Sequence, residues 1–349
     1  MRPLSEQVVV VTGASSGIGR ETALLLAERG ARVVLAARNQ EALKAVADEI
    51  DIAGGQCVRG RAEGPAGGAI VVPTDVTSWH QVRDLAAQAV QGFGRIDTWV
   101  NGAAVSLYSR VEDAEIDELE RVIQVDLLGY VYGMKAALPH LVNSVGAIIN
   151  ISSIAGVRPF PLQAPYSASK AAVNAFDDAL RLELRHAGRD VAITTVLPAS
   201  INTPFFAHAR SKLGAMAAPV PPVYEPRAVA EAIAFAAEHP RRDIYVGGAA
   251  KLLALQHKLS ATMTDWLLLR GKAFERQRTD RPADGDILFE PSSGQGSSTG
   301  DFRPALPVSP YTRLFELRSR RGLPLLVGLA GASLAALRRL RAAGGSPAS

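Results

Sequence analysis

The run Val8-Val9-Val10-Val11-Thr12-Gly13-Ala14-Ser15-Ser16-Gly17-Ile18-Gly19 decides the fold. Four β-branched residues in succession predict a strand buried on both faces, since a strand with one wet face would alternate apolar and polar residues. Glycine follows at 13, 17 and 19. Gly13 permits a tight turn, while Gly17 and Gly19 let the backbone approach a pyrophosphate and let the next helix pack on the strand. That helix, Gly17 to Arg29, sets Ile18, Leu25 and Leu26 on one face and Arg20, Glu21 and Glu28 on the other. Its N-terminus presents free N–H groups and a positive dipole end, a ready site for phosphates. Gly13, Ser15, Ser16, Gly17, Ile18 and Gly19 are therefore candidate cofactor contacts.

Outward from this turn, apolar runs alternate with helical patterns. Strands are predicted at Arg32 to Ala37, Ala69 to Val72, Thr98 to Val100, Ala147 to Ile151, Val191 to Leu197 and Asp243 to Val246. Between two of them Ser78 to Gln91 reads as a helix, with Ser78 as N-cap and Val82, Leu85 and Ala89 on its buried face. Continuous apolar strands joined by amphipathic helices predict an α/β fold: a Rossmann-type, doubly wound parallel sheet of about seven strands over residues 1–250.

Composition narrows the function. The 349 residues are 48% hydrophobic and 21% charged, and the formal net charge is +4. That charge, without a basic stripe in the first 250 residues, gives no reason to expect a nucleic-acid partner. The single cysteine, Cys57, forms no internal disulfide, and no Cys/His spacing suits a metal. Residues 1–7 lack the apolar core of a signal peptide, so a cytoplasmic location is the expectation.

The residue closing the second strand bears on cofactor choice. A carboxylate there would bind the adenosine ribose and repel a 2′-phosphate. The chain instead reads Ala36-Ala37-Arg38, and a guanidinium fork suits a phosphate. NADP(H) is thus favoured over NAD(H).

A second constellation lies at Tyr166-Ser167-Ala168-Ser169-Lys170. Tyr166 and Lys170, at i and i+4, share a helix face. An ammonium beside a phenol favours the phenolate, so the tyrosine pKa is expected to fall and Tyr166 to serve as acid toward a carbonyl or base toward an alcohol. Ser152-Ser153 ends the fifth strand, where strand ends border the ligand crevice.

The glycine spacing, the Tyr166–Lys170 pair and their order resemble the classical short-chain dehydrogenase/reductase family over roughly residues 5 to 250. The resemblance implies hydride transfer between NADP(H) and a carbonyl/alcohol pair. It singles out Ser153, thirteen residues before Tyr166, as the serine that holds the substrate oxygen, and gives Lys170 a second role on the nicotinamide ribose. It places Asp75 and Val76 at the adenine. It sets Asn101-Gly102-Ala103-Ala104 where the family has Asn-Asn-Ala-Gly, with Asn101 among the cofactor contacts. It also matches Leu197-Pro198-Ala199-Ser200-Ile201-Asn202-Thr203 to the family's Pro-Gly segment, in which Pro198 and Ile201 would meet the nicotinamide end and Thr203 would bind it or the phosphates. A homodimer or homotetramer through the helices holding Glu112 to His140 and Tyr166 to Ala187 is implied as well.

One departure touches the chemistry. Val125-Asp126-Leu127-Leu128-Gly129 stands where the family carries Val-Asn-x-x-Gly, whose asparagine holds a water in a proton relay. Asp126 accepts hydrogen bonds but, ionised, donates none. It is kept as a catalytic candidate, paired with Lys170 through such a water. The departures at Gly102, Ala104, Asp126 and Ala199 also motivate a second reading, a non-catalytic NADP(H)-sensing module; the intact Ser153, Tyr166 and Lys170 argue against it.

Pro204 to Val223 corresponds to the family's substrate lid, and Phe205, Phe206, Leu213 and Met216 make a lipophilic carbonyl or alcohol the expected substrate. Beyond residue 250 come three further segments. Residues 251–279 predict a helix burying Leu252, Leu255, Leu259, Met263 and Trp266. Residues 280–310, rich in Pro, Ser and Gly, predict a disordered linker, and so does the Gly-rich stretch 53–68 predict a surface loop. In the tail, 311–349, the run Leu323 to Leu337 is apolar all round between arginine pairs, which fits membrane contact or a helix docked on protein.

Overall fold

The computed structural model describes residues 1–57 and 68–318. Seven parallel strands form the central sheet: β1 (Val8–Thr12), β2 (Arg32–Ala37), β3 (Ala69–Pro73), β4 (Thr98–Asn101), β5 (Ala147–Ile151), β6 (Ala192–Pro198) and β7 (Asp243–Val246). Their spatial order is β7-β6-β5-β4-β1-β2-β3. The order reverses between β1 and β4, and a crevice opens at that switch point beyond the strand C-termini.

The four valines of β1 show why the sheet is covered twice. Val9 and Val11 join a core with α1 (Gly17–Glu28), α2 (Gln40–Cys57) and α7 (Pro226–Glu238). Val8 and Val10 join the opposite core, under α3 (Trp79–Phe93), α5 (Gly129–Ser144) and α6 (Ala164–His186). All four are fully buried, each contributing about 2 kcal/mol. The register Val8↔Arg32 through Thr12↔Ala36 brings the ends of β1 and β2 level, so that the glycine turn and Arg38 share one rim. Ser78 caps α3 as expected, accepting from the Gln81 N–H.

The chain between β4 and β5 starts with α4 (Ile116–Ile123) and passes through one π-helical turn, Gln124–Leu128, into α5. Such turns displace side chains from the regular helical ladder and recur at functional sites. Here the turn carries Asp126 inward.

Three expectations are corrected. First, residues 53–57 of the anticipated loop belong to α2; the rest of that loop lies outside the described residues. Second, the single helix expected after residue 250 is two, α8 (Gly248–Leu259) and α9 (Ala261–Arg270), broken at Ser260, whose extended backbone and hydroxyl start the second. Leu252, Leu255, Leu259, Met263 and Trp266 are exposed in the chain, and the pair is anchored by Ala250, Ala254 and Thr264 instead. Their helical spacing was real, but small residues on the other face pack more closely on the sheet.

Third, residues 280–310 are an ordered segment and not a disordered linker. They lie along the mouth of the crevice, held by backbone hydrogen bonds to residues far away in sequence, such as Ile287 to His208 and Leu306 to Val223. A composition poor in apolar side chains made the segment look unstructured, but backbone groups can bind a preformed surface without them. No helix among the described residues is long and apolar enough to cross a membrane. The run Leu323 to Leu337 lies outside the described residues.

Candidate active site

One elongated cavity runs along the crevice. Gly13, Ser15, Ser16, Gly17, Ile18, Gly19, Arg38, Asp75 and Val76 line one end; Ser153, Tyr166, Lys170, Pro198 and Ile201 line the other, and Thr203 stands against Gly17. The turn is close-packed: a Cβ on Gly19 would stand 2.2 Å from the Gly13 carbonyl oxygen, and one on Gly13 2.7 Å from the Ala103 nitrogen. Gly13 and Gly17 also adopt positive φ, which glycine takes without strain.

Two candidates do not reach the cavity wall. Asn101 points into the protein: it accepts from Trp99 Nε1 at 2.8 Å and donates to Asn150 Oδ1 at 2.8 Å. Asn150 in turn donates to Asp177, which also accepts from Thr195. This is a buried polar chain tying β4 and β5 to α6, and it replaces the expected cofactor contact. Asp126 sits behind the wall, fully buried. One of its carboxylate oxygens accepts from the Val105 N–H at 2.9 Å; the other lies 3.8 Å from Lys170 Nζ without a hydrogen-bond partner. Among the described residues the two groups therefore face each other at ion-pair distance, with no direct hydrogen bond between them.

Lys170 Nζ donates to the Tyr130 hydroxyl at 2.9 Å and to the Ile151 carbonyl at 3.2 Å. Tyr130 donates to the same carbonyl at 2.9 Å. Burial drives Lys170 toward its neutral form and Asp126 above the usual carboxylate range, and each charge opposes the shift of the other. The expected fall in the Tyr166 pKa is reversed. Burial and the Asp126 charge push the phenol up, and a Ser153 hydrogen bond only partly offsets them. Burial is the main cause, and Lys170 Nζ, 5.7 Å from the Tyr166 ring centroid with Asp126 3.8 Å away, does not offset it. Ser153 Oγ also accepts from the Ala155 N–H at 3.1 Å, which fixes the hydroxyl at the end of β5.

Around the Tyr166 end the wall is aromatic. Tyr166 packs on Phe205 and Phe205 on Phe206, with centroids 5.4 and 5.5 Å apart. Leu213 and Met216, expected beside them, do not line the cavity. Tyr130, Tyr108, Gln163 and Gln277 are among the lining residues not marked in the sequence. Tyr130, one helical turn after Asp126, was discoverable from that i, i+4 spacing. Tyr108 is fully buried, with no hydrogen-bond partner for its hydroxyl among the described residues. Gln163 donates to Gln277 Oε1 at 2.6 Å, so the C-terminal extension reaches this end too. Nothing local in sequence marks Tyr108, Gln163 or Gln277.

At the far end Arg38 stands beside Asp75, but its two terminal nitrogens donate to the carbonyls of Phe289 and Ile287, at 2.5 and 2.6 Å. Asp75 accepts from Thr77 and pairs with Arg121 at 3.2 Å. No carboxylate closes β2.

Comparison with known proteins agrees with this arrangement. The profile of the short chain dehydrogenase family matches residues 7–214. The uncharacterized oxidoreductase YxnA of Bacillus subtilis (strain 168) is 39% identical over 311 residues, covering 87% of this chain and 84% of its own. The uncharacterized oxidoreductase SAR2567 of Staphylococcus aureus (strain MRSA252) is 37% identical over 246 residues, covering 69% of this chain and 95% of its own. An alcohol dehydrogenase from the archaeon Thermococcus sibiricus, complexed with 5-hydroxy-NADP, superposes with a TM-score of 0.58 at 25% identity, over 68% of this chain and 95% of its own.

Proposed function

The chain belongs to the short-chain dehydrogenase/reductase family of oxidoreductases, and on that premise we propose that it interconverts a lipophilic carbonyl compound and its alcohol with NADP(H), Tyr166 being the general acid/base. The observation that carries this reading is a single cavity in which the glycine turn and the Ser153–Tyr166–Lys170 group face one another. Its elongated course suits an extended dinucleotide, with phosphates at the α1 N-terminus and the nicotinamide between Ile201 and Tyr166.

When bound, NADPH supplies the hydride. Tyr166 supplies the proton to the substrate oxygen, and Ser153 holds that oxygen and stabilises its developing charge. Lys170, fixed by Tyr130 and Ile151, is placed to donate a hydrogen bond to the ribose. A phenol held above its ordinary pKa stays protonated near neutral pH and gives its proton to a more basic oxygen, such as a developing alkoxide. Phe205, Phe206 and Phe160 give the apolar lining, and Tyr108 offers one buried hydroxyl to a second polar group on the substrate.

NADP(H) over NAD(H) rests on Arg38 and on the absence of a carboxylate at the end of β2. Pairing of copies belongs to the same reading: Ile116, Leu128, Phe176 and Leu182, on the helices around α4–α5 and on α6, are exposed in the single chain. The test is titration of the purified protein with NADPH and NADH, followed by cofactor oxidation across a panel of ketones and aldehydes. Tighter NADPH binding with turnover is the expected result; binding without turnover on a broad panel would favour the sensing module.

A further inference from the structure

We infer that residues 286–303 form a strap that supplies the outer wall of the dinucleotide site and must lift for the cofactor to enter or leave. The inference rests on the cofactor reading above. Each stage of the strap is fastened to a part of that site. At its start Asp286 accepts from Arg210, at 2.8 and 3.3 Å, and the Ile287 N–H donates to the His208 carbonyl at 3.1 Å. Leu288 is buried in the same core as Val76, and its carbonyl accepts from Arg121 at 3.0 Å.

The next stretch crosses the rim at the end of β2. Ile287 and Phe289 turn their carbonyls to Arg38, while Ser292 and Gly294 turn theirs to Asn39, at 2.7 and 2.9 Å. The strap then passes over the glycine turn, where the Gly17 N–H donates to the Ser297 carbonyl at 2.8 Å and Arg20 donates to the Ser298 hydroxyl at 3.1 Å. Gly296 has φ +73°, and a Cβ there would lie 2.2 Å from the Ser15 carbonyl oxygen. Glycine is required at that crossing for both reasons. On the opposite bank Gly300 and Phe302 donate to the backbone and side-chain oxygens of Asn202, at 3.1 and 3.0 Å, and Phe302 packs on Phe206.

The strap therefore joins both banks of the crevice, from Arg38 across Gly17 to Asn202. Ile287, Pro291 and Ser292 line the same space as the glycine turn and Asp75, and the Ser297 carbonyl takes the Gly17 N–H at the α1 N-terminus. Between Leu288 and Phe302 it is held by hydrogen bonds and has no buried apolar side chain. Such a segment opens locally far more easily than the sheet beneath it. Coverage of 87% of this chain cannot be reached without passing through residues 286–300, so the B. subtilis relative aligns across the strap.

The experiment pairs amide hydrogen exchange on the full chain, with and without NADPH, with stopped-flow NADPH release from the wild type, Gly296→Val and Asp286→Asn. NADPH should slow exchange across 286–303, and both variants should release NADPH at least tenfold faster, with a smaller change in Kd because entry quickens too. Asp286→Asn loosens the strap from its other end without adding bulk, so it carries the test if Gly296→Val folds poorly. Unchanged release in Asp286→Asn, unchanged exchange on binding, or faster exchange on binding would each overturn the roof. Failure of the wild type to bind NADPH at all would instead overturn the cofactor reading, and the roof with it.

Discussion

Replacing Asp126 by Asn removes one buried charge and keeps the shape. The carboxylate lies 3.8 Å from Lys170 Nζ, and that nitrogen lies 5.7 Å from the Tyr166 ring centroid, so the charge is within about 10 Å of the phenol ring. At an effective dielectric constant of about 20, a unit charge at about 10 Å is worth roughly 1.7 kcal/mol, or about one pKa unit on Tyr166. In the wild type Asp126 raises the Tyr166 pKa. In Asp126→Asn the phenol faces an unopposed ammonium, which Tyr130 and Ile151 still hold in place. The expected outcome is a fall of about one unit or more. Alcohol oxidation needs the phenolate, so its rate climbs as pH rises through the Tyr166 pKa, and the climb should move to lower pH in the variant. The assay is NADP-dependent oxidation of a secondary alcohol followed from pH 6 to pH 11. A profile that stays put, or moves to higher pH, would refute the reasoning, because it would mean that Lys170 gives up its proton when its counter-charge goes.

Tyr166→Phe should lower turnover at least a thousandfold while leaving the NADPH dissociation constant within about threefold, since it removes the proton donor and leaves the cavity lining intact; wild-type rates would end the mechanism. Tyr108→Phe should leave turnover of a plain aliphatic ketone unchanged and raise KM about tenfold for a ketone bearing a second polar group, as expected for one lost hydrogen bond; equal effects on both substrates would assign Tyr108 to packing alone. Asp177, with its pKa raised from 3.8 to about 6 by burial, favours the folded state fully below its unfolded value, and that contribution is lost as pH rises through about 6, a loss of about 3 kcal/mol. Urea unfolding of wild type and Asp177→Asn should therefore diverge between pH 4 and pH 6, the variant losing less stability as pH rises; parallel curves would refute the shift.

The sequence by itself determined the sheet, the glycine turn and the shared face of Tyr166 and Lys170, because each is local. Val8 to Val11 read as a doubly covered strand without any knowledge of what covers it. Tyr166 and Lys170 share a face because helical geometry puts i and i+4 together, and Ser153 follows from its offset. Only the tertiary structure decided what surrounds them. The direction of the Tyr166 shift depends on Asp126, forty residues earlier and brought close by a π-helical turn. Asn101 faces the interior because Trp99 and Asn150 claim its amide, a competition that spans three elements. Tyr108 reaches the cavity from a two-residue strand paired with Arg210–Ser211, and Gln277 from a single 3-10 turn, elements too short for local composition to mark. Residues 280–310 were misread for a related reason: local sequence registers the lack of apolar side chains, whereas the strap's order comes from carbonyls and N–H groups meeting Arg38, Asn39, Gly17 and Asn202, donors and acceptors that the folded sheet alone sets in line.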